Sequence, residues 1–194
     1  MNQLVDQYLL YRIRAKRDPE AFARLYDHYV TAIYRFVYLK LPSKELTEDV
    51  TSETFLRAWQ YVQQAEHIDN IRALLYKIAR NLIADHYRKQ DSSRETLVTF
   101  SSLEPSHTDE GDPSDRDAGR LLVEARADVA LILEHMSRLK EDFQDVLTLR
   151  LIDGLSFTDI GSILGKTSGN ARVIFHRALK ALDAIMAKSG EETP

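Results

Sequence analysis

Apolar residues recur at spacings of three and four along almost the whole chain, the period of amphipathic helices rather than of strands. Asp18-Pro19-Glu20 reads as a helix N-cap with proline at the first helical position. Phe22, Leu25, Tyr26, Tyr29, Ile33, Phe36 and Val37 then continue a single face up to the break around Pro42. A second helix is predicted from about Thr47 to Gln64, burying Val50, Thr54, Phe55, Ala58, Trp59 and Val62. A third, from near Asn70 to Lys89, turns Ile71, Leu74, Leu75, Ile78, Leu82 and Ile83 inward. The periodicity stops from Gln90 to Gly119, where Ser, Asp, Gly and Pro dominate and only Leu97, Val98 and Phe100 form a short apolar patch. Such a composition buries too little surface to offset its ordering entropy, so it reads as a linker. Helical spacing resumes at Leu121 and runs to about Leu139, and another helix spans about Glu141 to Asp153 with Gly154 as its C′ residue.

The stretch SFTDIGSILGKTSGNARVIFHRALKAL, Ser156 to Leu182, has the requirements of a helix-turn-helix. Two short helices that cross steeply need a small residue at the contact, here Gly161, and a residue tolerant of positive φ at the turn, here Gly165. Ser156 can cap the first helix and Thr167 or Ser168 the second. Ile160, Leu164, Ala171, Ile174 and Ala178 face inward, leaving Ser168, Asn170, Arg172, Val173, His176, Arg177 and Lys180 on the outer face of the second helix. A helical hairpin with a merely solvated basic face is the plain alternative. The paired glycines favour a DNA reader, whose first residues approach base edges while Arg177 or Lys180 holds phosphate.

A formal net charge of -4 argues against a nucleic-acid binder until it is divided along the chain. Residues 1–90 carry 14 basic against 11 acidic residues, residues 91–120 carry 3 against 8, and residues 121–194 carry 9 against 11. Lys166 to Lys188 alone holds 5 basic residues and 1 acid, so the candidate reader is locally cationic. With no cysteine, disulfides and thiolate metal sites are excluded. The six histidines, His28, His67, His86, His107, His135 and His176, show no spacing that pairs two on one helical face. No nucleophile motif, P-loop or dinucleotide fingerprint is present, so no enzyme activity and no cofactor are expected. No apolar run approaches the length of a membrane span, and the first twenty residues have the wrong charge order for a signal peptide. A cytoplasmic protein, monomeric when free and without membrane insertion, is expected.

The segment from Arg138 to Leu182 resembles region 4 of the sigma-70 family, in its extracytoplasmic-function (ECF) group. The resemblance rests on Leu149-Arg150, Asp153-Gly154-Leu155-Ser156, Gly169-Asn170-Ala171-Arg172 and Arg177-Ala178. DPEAFARLYDHYVTAIYRFVY, EDVTSETFLRAW and LLYKIARNLIADHYRK resemble successive parts of region 2, in the expected order. Departures occur at Leu74, where members often have Trp, at Ser52, often Gln, and at Lys140, often Pro.

The resemblance implies an all-α fold of two small helical domains joined by a flexible acidic linker: region 2 over residues 10–90, the linker over 91–120, and region 4 over 121–186. It implies a sigma factor that binds core RNA polymerase and directs promoter-specific initiation. Region 4 would read the duplex -35 element of promoter DNA, and region 2 the melted -10 element. Asp49, Ser52, Glu53, Leu56, Arg57 and Gln60, outside the buried face of the second helix, would then contact core polymerase; on the residues alone they read equally as a solvated face. Lys77, Arg80, Asn81 and Arg88 form a backbone-tracking stripe for the -10 strand, or else ordinary surface charge. The loop from Tyr61 to Asn70 is where the family traps a flipped base, and beyond Tyr61 its planar side chain is His67. An anti-sigma protein is a partner implied by the group. A stand-alone helix-turn-helix regulator is the rival, and it predicts tight binding of the purified chain to a two-fold duplex site.

Overall fold

A computed structural model of the chain describes residues 3–65, 67–91 and 131–191, and every regular element among them is helical. The predicted tether and the predicted helix start at Leu121 lie outside the described residues, Asp91 apart.

Four helices form the N-terminal unit: α1 (Gln3–Lys16), α2 (Pro19–Tyr38), α3 (Lys44–Gln64) and α4 (Ile71–Asp91). Leu9, Ile13, Leu25, Ile33, Phe36, Phe55, Ala58, Val62, Leu75 and Tyr76 fill their shared core. The starts are fixed by side-chain caps that satisfy otherwise orphan amides. Asp18 Oδ1 accepts from the N–H groups of Glu20 and Ala21 at 3.0 and 3.3 Å, with Pro19 first in the helix as predicted. Ser43 Oγ accepts from Leu46 N–H at 3.2 Å, which moves the start of α3 to Lys44, three residues before the predicted Thr47. Asn70 Oδ1 accepts from Ala73 N–H at 3.0 Å and opens α4.

The first described helix, α1, packs as a member of this unit. Its Leu9, Leu10 and Ile13 are buried against α2 and α3, and its buried Asp6 accepts from the Tyr29 hydroxyl at 2.7 Å. Burial and this carboxylate together push the Tyr29 hydroxyl pKa up. Gln7 Nε2 donates to the carbonyls of Ile68 and Asp69 at 2.9 and 3.0 Å, so α1 also ties down the loop between α3 and α4.

The C-terminal unit comprises α5 (residues 131–137), α6 (Glu141–Leu147), α7 (Phe157–Leu164) and α8 (Ser168–Glu191) around Val146, Leu147, Leu149, Ile160, Ile163, Ala171 and Ala178. One continuous α-helix was expected from Glu141 to Asp153, but it loosens after Leu147 into a π-turn, Thr148–Ile152. The Asp153 N–H reaches the Thr148 carbonyl at 3.1 Å, five residues back instead of four. That extra residue lets Gly154, at φ +66°, turn the chain toward α7.

The two units do not stand apart. α4 packs on α7, and the apolar cluster runs through both units. Around that contact four bases of the N-terminal unit meet the acids of the C-terminal unit. Lys40 Nζ lies 2.6 Å from Asp145 Oδ1, with side-chain exposures of 5% and 0%. Arg80 faces Asp145, Asp142 and Glu141 at 2.7, 2.8 and 3.4 Å. Arg35 and the Tyr76 hydroxyl share Asp153, the tyrosine at 2.8 Å. Asn70 Nδ2 donates to Asp159 Oδ1 at 3.1 Å, with Arg72 beside it at 3.9 Å.

Candidate nucleic-acid interface

The crossing of α7 and α8 is built as the glycine pattern predicts. A Cβ added at Gly161 would meet the Lys166 carbonyl oxygen at 2.7 Å, Ser168 N at 3.1 Å and the Thr167 carbonyl carbon at 3.1 Å. No side chain fits there, so the two backbones can touch only with glycine. Gly165 sits at φ +65° and returns its N–H to the Gly161 carbonyl, ending α7. Ser156 Oγ accepts from Asp159 N–H at 3.1 Å, and Thr167, rather than Ser168, caps α8 by accepting from Asn170 N–H at 3.2 Å.

With Ala171 and Ala178 fully buried, the opposite side of α8 is presented outward. Ser168, Asn170, Arg172, Val173, His176, Arg177 and Lys180 are all exposed, and they share the face predicted for a reader. Phe157, at the start of α7, supports this face in a way the sequence did not disclose. Its ring carries the Arg172 guanidinium at 5.3 Å and the Arg150 guanidinium at 4.8 Å, with Phe175 set edge-on at 5.6 Å. Arg150 is fixed in turn by donating to the Leu155 carbonyl at 2.7 Å. A cation held over an aromatic face loses some of its rotamer freedom before any ligand arrives.

On α4 the predicted stripe divides. Lys77, Asn81 and Arg88 are exposed, and Arg88 pairs with Asp85 one turn away. Arg80 is only 25% exposed at its side chain and is held by the carboxylates of α6. Those neighbours outweigh its desolvation and push its pKa up still further. The expected loop from Tyr61 starts later, because Tyr61, half exposed, still belongs to the last turn of α3; in the loop itself His67 pairs with Asp69 at 2.7 Å, while Ile68 is buried and anchors it.

On α3, Asp49, Ser52, Leu56, Arg57 and Gln60 are exposed and Glu53 is partly so, bonded to Arg57 at 2.6 Å. Beside them lies an open groove of about 400 Å³ lined by Pro19, Phe22, Tyr26, Ser52, Phe55, Leu56 and Trp59. Its walls are aromatic: Phe22 meets Trp59 edge-on at 4.9 Å and Tyr26 meets Phe55 at 4.7 Å. Periodicity assigns Phe22, Tyr26 and Trp59 to inner faces; in the fold Phe22 and Trp59 are half-buried against the core and Tyr26 is exposed. They line this groove because α2 and α3 carry more apolar surface than the helices beneath can cover.

Residues 25–93 match the family model described as Sigma-70 region 2, and residues 130–182 match that described as Sigma-70, region 4. The chain belongs to the ECF group of the sigma-70 family. Over 171 residues it is 34% identical to the ECF RNA polymerase sigma factor BldN of Streptomyces coelicolor, covering 87% of this chain but 61% of that protein's length. It is 28% identical over 179 residues to the ECF RNA polymerase sigma factor SigW of Bacillus subtilis, covering 86% and 89% of the two chains. The solved structure of CnrH in complex with the cytosolic domain of CnrY shares the fold, with a TM-score of 0.68, 20% identity and coverage of 95% and 98%. The region 2 match covers most of α2 and all of α3 and α4, and the region 4 match takes in α6, α7 and the first part of α8. Among the described residues, no helix is long and apolar enough to cross a membrane.

Proposed function

We propose that this ECF factor docks on core RNA polymerase through the α2–α3 groove and directs it to promoters, with α8 reading the -35 duplex and α4 with its preceding loop holding the melted -10 strand. The observation that carries this reading is the presence of both regions, in order, on one chain. The geometry supports it at three places. The seven outer positions of α8 are open to a major groove, Leu56 stands 51% exposed at the rim of an aromatic groove suited to an apolar helix face, and Lys77 and Asn81 line one side of α4. Base discrimination falls to the first turns of α8, Asn170, Arg172 and Val173, while Arg177 and Lys180 hold phosphate. The chain itself catalyses nothing: it acts in the cytoplasm beside the polymerase, monomeric when free, and an anti-sigma protein would restrain it by covering these same surfaces.

In vitro transcription with core polymerase on genomic DNA tests the proposal. Discrete start sites that require this chain, together with its co-purification with core, are expected. Absence of both would overturn it, and tight two-fold duplex binding by the chain alone would favour a stand-alone regulator instead.

A further inference from the structure

Arg172 opens the second turn of α8, where the function proposed above puts base discrimination. An arginine reads a base edge when its planar fork lies flat against that edge, two donors meeting two acceptors at once. An exposed arginine on a helix has no fixed plane of its own. Its long side chain samples many rotamers, and binding must select one of them.

The neighbour that orders Arg172 comes from another helix. Phe157, the first residue of α7, places its ring 5.3 Å from the Arg172 guanidinium. The half-buried ring is itself braced: Phe175 of α8 meets it edge-on at 5.6 Å, and the Arg150 guanidinium lies 4.8 Å from its centroid. Arg150 is tied within the π-turn by its 2.7 Å hydrogen bond to the Leu155 carbonyl. Ser156, capping α7 immediately before Phe157, fixes the backbone beneath the ring. Each brace therefore restrains the next. The π-turn holds Arg150, Arg150 and Phe175 hold the ring, and the ring holds Arg172 by the attraction of a guanidinium to an aromatic face.

We propose that Phe157 is a positioning residue for base recognition: its ring, braced by Arg150, pre-orients the Arg172 guanidinium and sets how sharply the chain discriminates at the base pair Arg172 meets. Phe157 touches no nucleotide in this role and acts through Arg172. The role rests on the reading of α8 as a duplex reader, and not on polymerase binding. A ring that only filled the crossing of α7 and α8 would be served as well by leucine and would be indifferent to Arg172. A loose arginine adapts, finding a phosphate or another acceptor when the matched base is absent. Held over the ring, it offers its fork in one place and leaves donors unpaired at a mismatched pair. Removing the ring therefore lowers specificity more than affinity.

The test selects bound duplexes from a random pool with the full chain and core polymerase, then measures the winner and its single-base-pair variants by fluorescence anisotropy. Arg172→Ala identifies the pair that Arg172 reads, as the one whose replacement no longer matters. At that pair Phe157→Leu is expected to cut discrimination about tenfold, within the range of one bidentate base contact, with the other pairs and the salt slope unchanged. Phe157→Tyr keeps the ring and is expected to keep the discrimination. In an Arg172→Ala background Phe157→Leu should change nothing further, the non-additivity of a residue that acts through another. If Phe157→Leu melts early, Arg150→Met leaves the crossing filled, frees the ring and is expected to weaken discrimination at the same pair alone. The positioning role is refuted if Arg172→Ala singles out no pair, or if the Phe157→Leu effect persists unchanged without Arg172. It is refuted equally if Phe157→Leu, or Arg150→Met in its place, weakens all duplexes alike, or if Phe157→Tyr loses the discrimination. The two readings fail separately. Coupling of Phe157 to Arg172 without core-dependent initiation sinks the sigma reading alone, and initiation without that coupling sinks the positioning role alone.

Discussion

Gly161→Ala isolates the demand that makes α7 and α8 a helix-turn-helix. Inside a helix the exchange should help, because alanine is favoured over glycine by about 1 kcal/mol. The new methyl, however, would sit 2.7 Å from the Lys166 carbonyl oxygen and 3.1 Å from both Ser168 N and the Thr167 carbonyl carbon. All three are backbone atoms, so no rotamer change relieves the contact and α8 must shift away from α7. Forcing extra volume into a filled contact costs about 1–3 kcal/mol. Set against the propensity gain, a net loss of about 1 kcal/mol is expected, with a fall in Tm of about 2–4 °C for a chain of this size. Gly165→Ala is the control. A Cβ there meets nothing within 4 Å, and only the φ of +65° is penalised, so it lowers stability by about 1–2 kcal/mol without moving α8. Thermal unfolding and fluorescence anisotropy on a cognate -35 duplex separate the two. Gly161→Ala should lose both stability and duplex affinity, and Gly165→Ala stability alone. An alanine variant at 161 that melts at or above the parent with unchanged duplex affinity would refute the steric argument.

Arg172→Ala and Arg177→Ala should each reduce promoter-dependent initiation while core binding persists in a pull-down. Arg177→Ala, which loses a phosphate contact, should also flatten the slope of log affinity against log salt by about 0.9, whereas Arg172→Ala should relax base preference instead. Leu56→Asp, at a half-exposed position on the groove rim, should leave the melting temperature unchanged and weaken core binding by about tenfold or more, as expected for a central apolar anchor. Tyr29→Phe removes the hydroxyl that donates to buried Asp6, and should cost about 1–3 kcal/mol in chemical denaturation by leaving the carboxylate unsatisfied.

Much of this was legible because it is local. The Asp18-Pro19 start, the Ser156 cap, the left-handed Gly165 and the tight Gly161 are each decided by a few neighbouring residues, and the three-and-four spacing carries the inner faces of α2, α3 and α4. What was missed depends on distant partners. Periodicity counts Phe22, Tyr26 and Trp59 as core because it cannot register that they are only partly covered. α1 offered Leu9 and Ile13 as a signal, but its usefulness comes from Asp6 meeting Tyr29 and Gln7 meeting the loop, both far along the chain. The stack of Arg150, Phe157 and Arg172 joins three separate elements, and no spacing rule reports it.

The charge division takes on a different meaning once the units are seen together. By segment, an N-terminal excess of bases and a C-terminal excess of acids look like two unrelated surfaces, with the acids an obstacle to a DNA reader. In the fold Glu141, Asp142, Asp145, Asp153 and Asp159 face Arg35, Lys40, Arg72 and Arg80, with Asp142 shared by Lys166. Those four bases are thereby neutralised within the protein, while α8 keeps Arg172, Arg177 and Lys180 exposed. The acids of the C-terminal unit that help make the net charge negative are therefore largely paired inside the fold, and they leave the outer face of α8 as cationic as its own segment reads.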